Sequence, residues 1–438
     1  MPFTVMVLAV WTFVALLHWQ PWSRGLFLAL TAIFTLYSGR LLWPQPPTSE
    51  TRDPDNHPPF TISLLIPARN EATVLDRIVT SLFQSNYPAA QLEVWVIDDG
   101  SNDETPQHLQ DLTNQFPQLK VLHRPTSSGG KSGALNAVLP QTTGEIIGVF
   151  DADAYLEPDA IHHALRPFHQ PQVGAVQLRK TLLNAAGNGL TKGQQWEQSF
   201  DAALQSQRQA AGGWVELRGN GTFIRRQSLM QCGGWQEDTL TDDLDLDFRL
   251  YLSGIEVVFL TNTWVYEEGV TQGLQFWRQR CRWAEGGCQR YLDYFGQLWG
   301  VRGWAAIDLW MFFVLQFLLP VGLVADVVCA LAMGHLPVLW PLQTLLGLLV
   351  MVEMMRGLTK FEALRGLALF QGVVGGLLFM LHWPLVMLVI ILKCCILRQS
   401  LVWHPVEHGQ GRGGQIMTSE TSAGTTSTSN ADSSNVGA

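Results

Sequence analysis

The sequence predicts an α/β protein: a doubly wound, mostly parallel sheet flanked by transmembrane helices. Three observations carry this. Between residues 60 and 260 short apolar runs alternate with helical patterns, and two of the runs end in paired aspartates. Long apolar stretches lie on both sides of that region. The 438 residues are 47% hydrophobic and only 15% charged, too apolar for a soluble protein of this length. Strands covered on both faces read as unbroken apolar runs, and their alternation with helices implies crossover connections.

In chain order, residues 1–19 and 25–43 are apolar runs of about bilayer-spanning length, the second interrupted by Ser38 and Arg40. A cleaved signal peptide fits the first run poorly: no basic segment precedes it, and a second span follows a short turn at 20–24. Such a hairpin puts both ends on one side, and Arg40 and Arg52 mark that side as cytosolic. Residues 44–59 are a polar, proline-rich linker, and the soluble domain occupies 60–296. TISLLIP is its first strand, followed by a helix over 71–86 with Asn70 as cap and Val74, Ile78, Val79 and Leu82 on one face. Strand 92–97 ends in Asp98-Asp99-Gly100-Ser101, and a third strand is expected at 120–122. A glycine-rich turn at 127–131 opens a helix at 132–138, and strand 146–150 runs into Asp151-Ala152-Asp153.

Further strands are expected at 173–179, 222–225 and 255–260, with a polar helix over 194–211. Gly219-Asn220-Gly221 marks tight backbone beside a ligand or turn. Thr241-Asp242-Asp243 starts a helix, Thr241 capping it and the acids complementing its N-terminus. Residues 275–295 mix tryptophan and arginine in a way that suits a membrane interface. The unit 297–400 holds about three spans, at 307–333, 336–352 and 367–392, in which Asp308 and Asp326 are costly enough to require a bundle-facing or interfacial role. The tail 401–438 has a disordered composition. A net charge of −9 gives no nucleic-acid footprint, and the six cysteines show no metal-ligand spacing.

Two carboxylates at i and i+2 on a strand end, Asp151 and Asp153, can converge on one hard cation, although a lone DxD is more often a solvated loop. Asp98 and Asp99 occupy another strand end, where a carboxylate can accept from a ribose hydroxyl or a uracil N–H; a plain turn explains them equally well. Gly129-Gly130-Lys131 with Asn136 can set a cation near a diphosphate, but it lacks P-loop spacing, and a surface lysine is the commoner outcome. Asp242 and Asp243 offer a general base or a decorated helix end. In Gln279-Arg280-Cys281-Arg282-Trp283 a guanidinium can steady a leaving diphosphate and the indole can stack on a sugar; binding to lipid headgroups is the alternative.

Taken in series, DDGS, DAD, TDD and QRCRW between membrane spans resemble the family 2 glycosyltransferases of GT-A fold, over roughly residues 59–294. That resemblance implies that Asp99 contacts the uridine with Asp98 assisting, and that Asp151 and Asp153 serve nucleotide and metal, Asp153 as the direct ligand. Lys131 stays a candidate for the diphosphate on its own residues, and the resemblance implies that Asp243 is the base. Gln279, Arg282 and Trp283 match the family's QxxRW signature at the acceptor and diphosphate site. ELRGNGTFIRR (216–226), TDDLDLDFRL (241–250) and EEGVT with QRCRWAEGG (267–287) resemble the cyanobacterial branch of that family that glucosylates diacylglycerol. The implied reaction is an inverting transfer of glucose from UDP-glucose to 1,2-diacylglycerol, with Mg²⁺ or, equally suited, Mn²⁺. The implied setting is a multi-pass membrane protein with a cytosolic catalytic domain. A processive polysaccharide synthase shares these motifs but needs a polymer channel, which about five spans disfavour. A non-catalytic scaffold or transporter is disfavoured by the complete carboxylate set.

Overall fold

A computed structural model describes residues 2–20, 22–43 and 59–393. Most of the expected linker at 44–59, with Arg52, and Cys394, Cys395, Arg398 and the tail 401–438 lie outside the described residues. Two apolar helices come first, α1 (Pro2–His18) and α2 (Ser23–Leu42). The central domain runs β1 (Ile62–Ala68), α3 (Leu75–Phe83), β2 (Leu92–Asp99), α4 (Thr105–Gln115), β3 (Leu119–Arg124), α5 (Gly130–Val138) and β4 (Ile146–Val149). It continues with β5 (Tyr155–Leu156), α6 (Ala160–Leu165), β6 (Val173–Leu182), α7 (Gly189–Ala210), β7 (Thr222–Arg225), α8 (Arg226–Gln231), α9 (Asp242–Leu252), β8 (Glu256–Glu267) and α10 (Gly273–Tyr294). Apolar helices follow: α11 (Gly303–Phe313), a π-helical turn (Val314–Leu318), α12 (Leu319–Met333), α13 (Trp340–Phe361), α14 (Gly366–Met380) and α15 (His382–Leu392).

The eight strands form one mixed sheet in the order β3-β2-β1-β4-β7-β6-β8-β5. Pairings among β3, β2, β1 and β4 are parallel, as is β6 with β8; β7 is antiparallel to both neighbours, and β5 to β8. The sheet is therefore mostly parallel, with β7 inserted in reverse. Alternate side chains of β1 explain why the core lies on both faces. Ile62, Leu64 and Ile66 join one apolar cluster and Leu65 the other, all at most 1% exposed. The chain passes from β1 outward to β2 and β3, then returns to β4 on the other side of β1. That reversal is the switch point at whose carboxyl edge α/β sheets bind ligands. Because β7 is reversed, the Gly219–Asn220–Gly221 turn that precedes it reaches the same edge: Thr222 pairs with Val149, the last residue of β4.

Several boundaries differ from the sequence expectation. The first domain helix starts at Leu75, not Glu71, and Asn70 does not cap it. Asn70 takes φ 59°; its N–H donates to Ser101 Oγ (3.0 Å) and its Oδ1 accepts from Asn102 N (2.9 Å), so it ties to the loop after β2. Thr241 stands at the N-cap of α9 but makes no side-chain capping bond. The last strand of the sequence reading runs on to Glu267. Helix α13 begins at Trp340 rather than at 336 and continues past the charges that ended the expected span, since Glu353 and Arg356 pair with each other (2.9 Å). The last expected span is two helices, α14 and α15. Among the described residues four apolar stretches are long enough to cross a membrane: 25–42, 303–333, 340–361 and 366–392. Helix α1, at 17 residues, is about 26 Å long, a little short of the hydrocarbon core.

Asp308 and Asp326, buried in the apolar helices, both have partners. Asp308 accepts from Tyr37 Oη (2.8 Å), the Arg40 guanidinium (3.1 Å) and Trp214 N (2.8 Å), joining α2, α11 and the loop after α7. Asp326 accepts from Val338 N and Leu339 N (2.8 and 2.9 Å) and faces His18 Nε2 at 3.0 Å, closing the turn between α12 and α13.

Candidate active site

The carboxyl edge of the sheet opens into a cavity of about 1010 Å³. Asp99, Lys131, Asp151, Asp153, Asp243, Gln279, Arg282 and Trp283 all line it. Asp98 does not. It turns toward the loop after β2, where its Oδ1 accepts from Ser101 N and its Oδ2 lies 3.0 Å from His123 Nδ1. Burial alone would raise its carboxyl, but these hydrogen bonds, from Ser101 and then His123, hold it below the ordinary range. Asp99 is gripped by the Arg124 guanidinium and by Ser127 Oγ (2.5 Å), both absent from the sequence reading. The pair thus divides: Asp98 shapes the turn, and Asp99 faces the cavity.

Asp151 and Asp153 follow β4. Asp151 N donates to Asn220 Oδ1 (3.2 Å), and Asp153 Oδ2 accepts from Glu268 N (2.8 Å), so the reversed β7 and the end of β8 together hold the DAD turn. Lys131 opens α5 after Gly129, whose φ of 68° requires a left-handed residue. Its Nζ lies 2.6 Å from Asp151 Oδ1. Burial would lower the ammonium, but Asp151, Asp242 and Asp243 hold it well above its ordinary value, so it stays charged. Among the described residues no group of three or more His, Cys, Asp or Glu side chains is gathered for a metal. Two strand-end carboxylates nevertheless suit a hard divalent cation that takes its remaining oxygens from a diphosphate and water.

Asp243 starts α9, and its Oδ2 would sit 3.2 Å from a Cβ placed on Gly219, so the carboxylate lies against the turn before β7. Burial, and next the charge of Asp242, raise its carboxyl to about 6. The other acids of TDDLDLD do different work. Asp245 pairs with Arg249 (2.6 Å) and accepts from Tyr294 Oη (2.7 Å), and Asp247 accepts from Trp214 Nε1 (2.7 Å).

In the QRCRW helix, α10, Arg282 Nη1 reaches Leu240 O (3.4 Å) just ahead of Asp243. Trp283 stacks against the Arg280 guanidinium (4.2 Å), which is paired with Glu197 of α7 (2.6 Å). Lys180, at the end of β6, pairs with Glu267 (2.7 Å) and lies 6.0 Å from the Trp283 ring. Glu197 and Lys180 also line the cavity and escaped the sequence reading, because no local motif distinguishes them from surface charge; Glu267, which opens the EEGVT stretch, lines it too.

Away from the carboxylates the same cavity continues between apolar helices. There its walls include Phe34 and Leu41 of α2, Leu315, Leu323 of α12, and Leu346 and Val350 of α13. One chamber therefore has a charged end suited to a nucleotide diphosphate and an apolar end suited to hydrocarbon.

A family model described as glycosyltransferase like family 2 matches residues 58–286. The beta-monoglucosyldiacylglycerol synthase of Synechocystis is 42% identical over 92% of this chain and 87% of its own, and that of Nostoc is 42% identical over 86% and 82%. The poly-beta-1,6-N-acetyl-D-glucosamine synthase of Staphylococcus epidermidis is 28% identical over 52% of this chain and 54% of its own. A mannosyltransferase from Pyrobaculum calidifontis, solved in complex with GDP-Man and Mn²⁺, superimposes with a TM-score of 0.54 at 21% identity, over 86% of this chain and 99% of that one; it shares the fold.

Proposed function

The chain belongs to the family 2 glycosyltransferases, and from that membership and the cavity's two ends we propose that it transfers glucose from UDP-glucose to the free hydroxyl of a 1,2-diacylglycerol. The observation that carries this reading is the continuity of one cavity from Asp99, Asp151 and Asp153 to the apolar walls of α2, α12 and α13. The strong likeness to glucolipid synthases over most of both chains supports the lipid acceptor and the glucosyl donor.

Asp99 orients the nucleoside, and Lys131 neutralises the diphosphate. Asp151 and Asp153 would hold a divalent cation, Mg²⁺ or Mn²⁺, which when bound adds positive charge beside the diphosphate. Asp243 takes the proton from the acceptor hydroxyl. The freed oxygen attacks the anomeric carbon from the face opposite the departing UDP, so the configuration inverts. Arg282 meets the charge that develops on the leaving diphosphate, with Gln279 and Trp283 beside the sugar. The catalytic domain faces the cytosol, where nucleotide sugars are found, on the side to which α2 delivers Arg40.

Membranes holding the full chain, given diacylglycerol and labelled UDP-glucose or UDP-galactose, test this by lipid extraction and chromatography. The expected product is a single-hexose glycolipid labelled from UDP-glucose. A labelled polymer would instead make the protein a polysaccharide synthase, and label from UDP-galactose alone would overturn the donor.

A further inference from the structure

Where the charged end of the cavity gives way to the apolar end, two polar side chains, a guanidinium and an amide, bring N–H groups to its wall. We propose that these two, Arg208 and Gln316, form the subsite that receives the ester carbonyls of the acceptor lipid, an inference that rests on the diacylglycerol reading above.

Arg208, near the end of α7, is 4% exposed, and its Nε is buried with no hydrogen-bond partner. The nearby carboxylates feel its charge but make their ion pairs with other residues: Glu216 with Arg218 and Arg290, and Glu353 with Arg356. The guanidinium lies over the Phe312 ring at 5.3 Å and the Trp214 ring at 5.7 Å. Gln316 lies four residues beyond Phe312 in the same helical run. Gln316 Nε2 is the donor of this amide; its Oε1 is buried and takes no part, because a carbonyl has no hydrogen to give it. A Cβ on Gly287 would stand 3.3 Å from Gln316 Nε2, which sets the amide against α10 one turn beyond Trp283. Both Arg208 and Gln316 line the cavity.

The local backbone supports a dedicated position for this amide. Pro320 has no N–H to return to the carbonyl of Gln316, and the helix is wound to the π form over Val314–Leu318. Such turns inside α-helices occur frequently at functional sites. A polar side chain buried among apolar helices needs a partner, and a purely hydrocarbon occupant supplies none. The ester carbonyls of a diacylglycerol accept hydrogen bonds and lie a few bonds from its hydroxyl, so a lipid with that hydroxyl at Asp243 would carry them toward these N–H donors. Its acyl chains would then continue past Leu315, Leu319 and Leu323.

The test compares 1,2-dioleoylglycerol with its diether analogue, which keeps the hydroxyl and chains but lacks both carbonyls, using the full-length protein in nanodiscs. The wild-type protein is expected to show a KM about tenfold lower for the diester, and Gln316→Leu to lose about fivefold of that preference with kcat and the UDP-glucose KM unchanged. Arg208→Gln is expected to lose at least as much, since a charged donor is removed. Equal wild-type use of diester and diether would overturn the subsite while leaving the acceptor class standing. Retention of the full preference in both variants would also overturn it. A wild-type protein that glucosylates neither lipid would overturn the diacylglycerol reading, and the subsite with it.

Discussion

Burial and the neighbouring charge of Asp242 set Asp243 apart from an ordinary aspartate by raising its carboxyl to about 6. A base with a raised pKa accepts a proton more readily, but it works only once ionised. For the proposed mechanism kcat/KM therefore falls about tenfold per unit below pH 6 and levels off above it. Asp242→Asn removes a like charge, so the acid limb should move to lower pH; a limb that stays in place would assign it to another group. Asp243→Asn should cut turnover by about a hundredfold or more while UDP binding, followed by titration, is kept. Asp98 supplies a contrast at the same scale. Its carboxylate is spent on Ser101 and His123, so Asp98→Asn should act on the loop's stability more than on nucleotide affinity, whereas Asp99→Asn should weaken UDP binding directly.

At the scale of elements, the reactive geometry depends on how closely α9 approaches α10. Gly286 lies in α10 where any Cβ would collide with the Thr241 side chain, at the head of the helix that presents Asp243. Glycine inside a helix ordinarily costs ~0.5–1 kcal/mol relative to alanine. Gly286→Ala should reverse that advantage here, since the added methyl pushes Thr241 and Asp243 away from Arg282. The expected result is a kcat lower by roughly tenfold to a hundredfold with an unchanged far-UV spectrum and UDP-glucose KM. The close approach also explains why Thr241 does no capping: its side chain is packed against α10. A buried ion-pair cluster ties the rest of α10 down. Burial would raise the Glu216 carboxyl, but Arg218 and Arg290 pull it down to about 2.

For the whole molecule, the decisive contacts join the catalytic domain to the apolar helices. Asp308 is fully buried and accepts from Tyr37, Arg40 and the backbone of Trp214, so one carboxylate links α2, α11 and the loop that precedes the Gly219 turn. Asp308→Ala leaves the Arg40 guanidinium without this counter-charge, and removing one partner of such a pair costs about 3–5 kcal/mol. The unfolding temperature in detergent should drop by about 3–5 °C, more than for an exposed change such as Lys120→Ala. A drop of only a degree or two would show that the domain and the helices are joined elsewhere.

Much of this was legible from residues alone. Unbroken apolar runs such as Ile146–Val149 announce strands covered on both faces, and the aspartates after them must fall at strand ends, because that follows from local pattern. The apolar helices and the cost of Asp308 and Asp326 within them are likewise properties of composition. Tertiary structure alone decided which of those groups meet. Nothing local says that β7 is inserted in reverse, yet that reversal brings Asn220 to Asp151, 69 residues away. Glu268 reaches Asp153 across 115 residues in the same way. Nor does local pattern separate Asp99 from Asp98, since Arg124 and His123 select between them only after β3 pairs beside β2. Arg208 and Gln316 read as a stray charge in a polar helix and a lone amide before a proline. Their shared position in one cavity exists only once α7, α10 and the π-turn are packed together. Periodicity and composition act over a few residues, whereas a site is built from side chains whose proximity depends on strand order and helix packing.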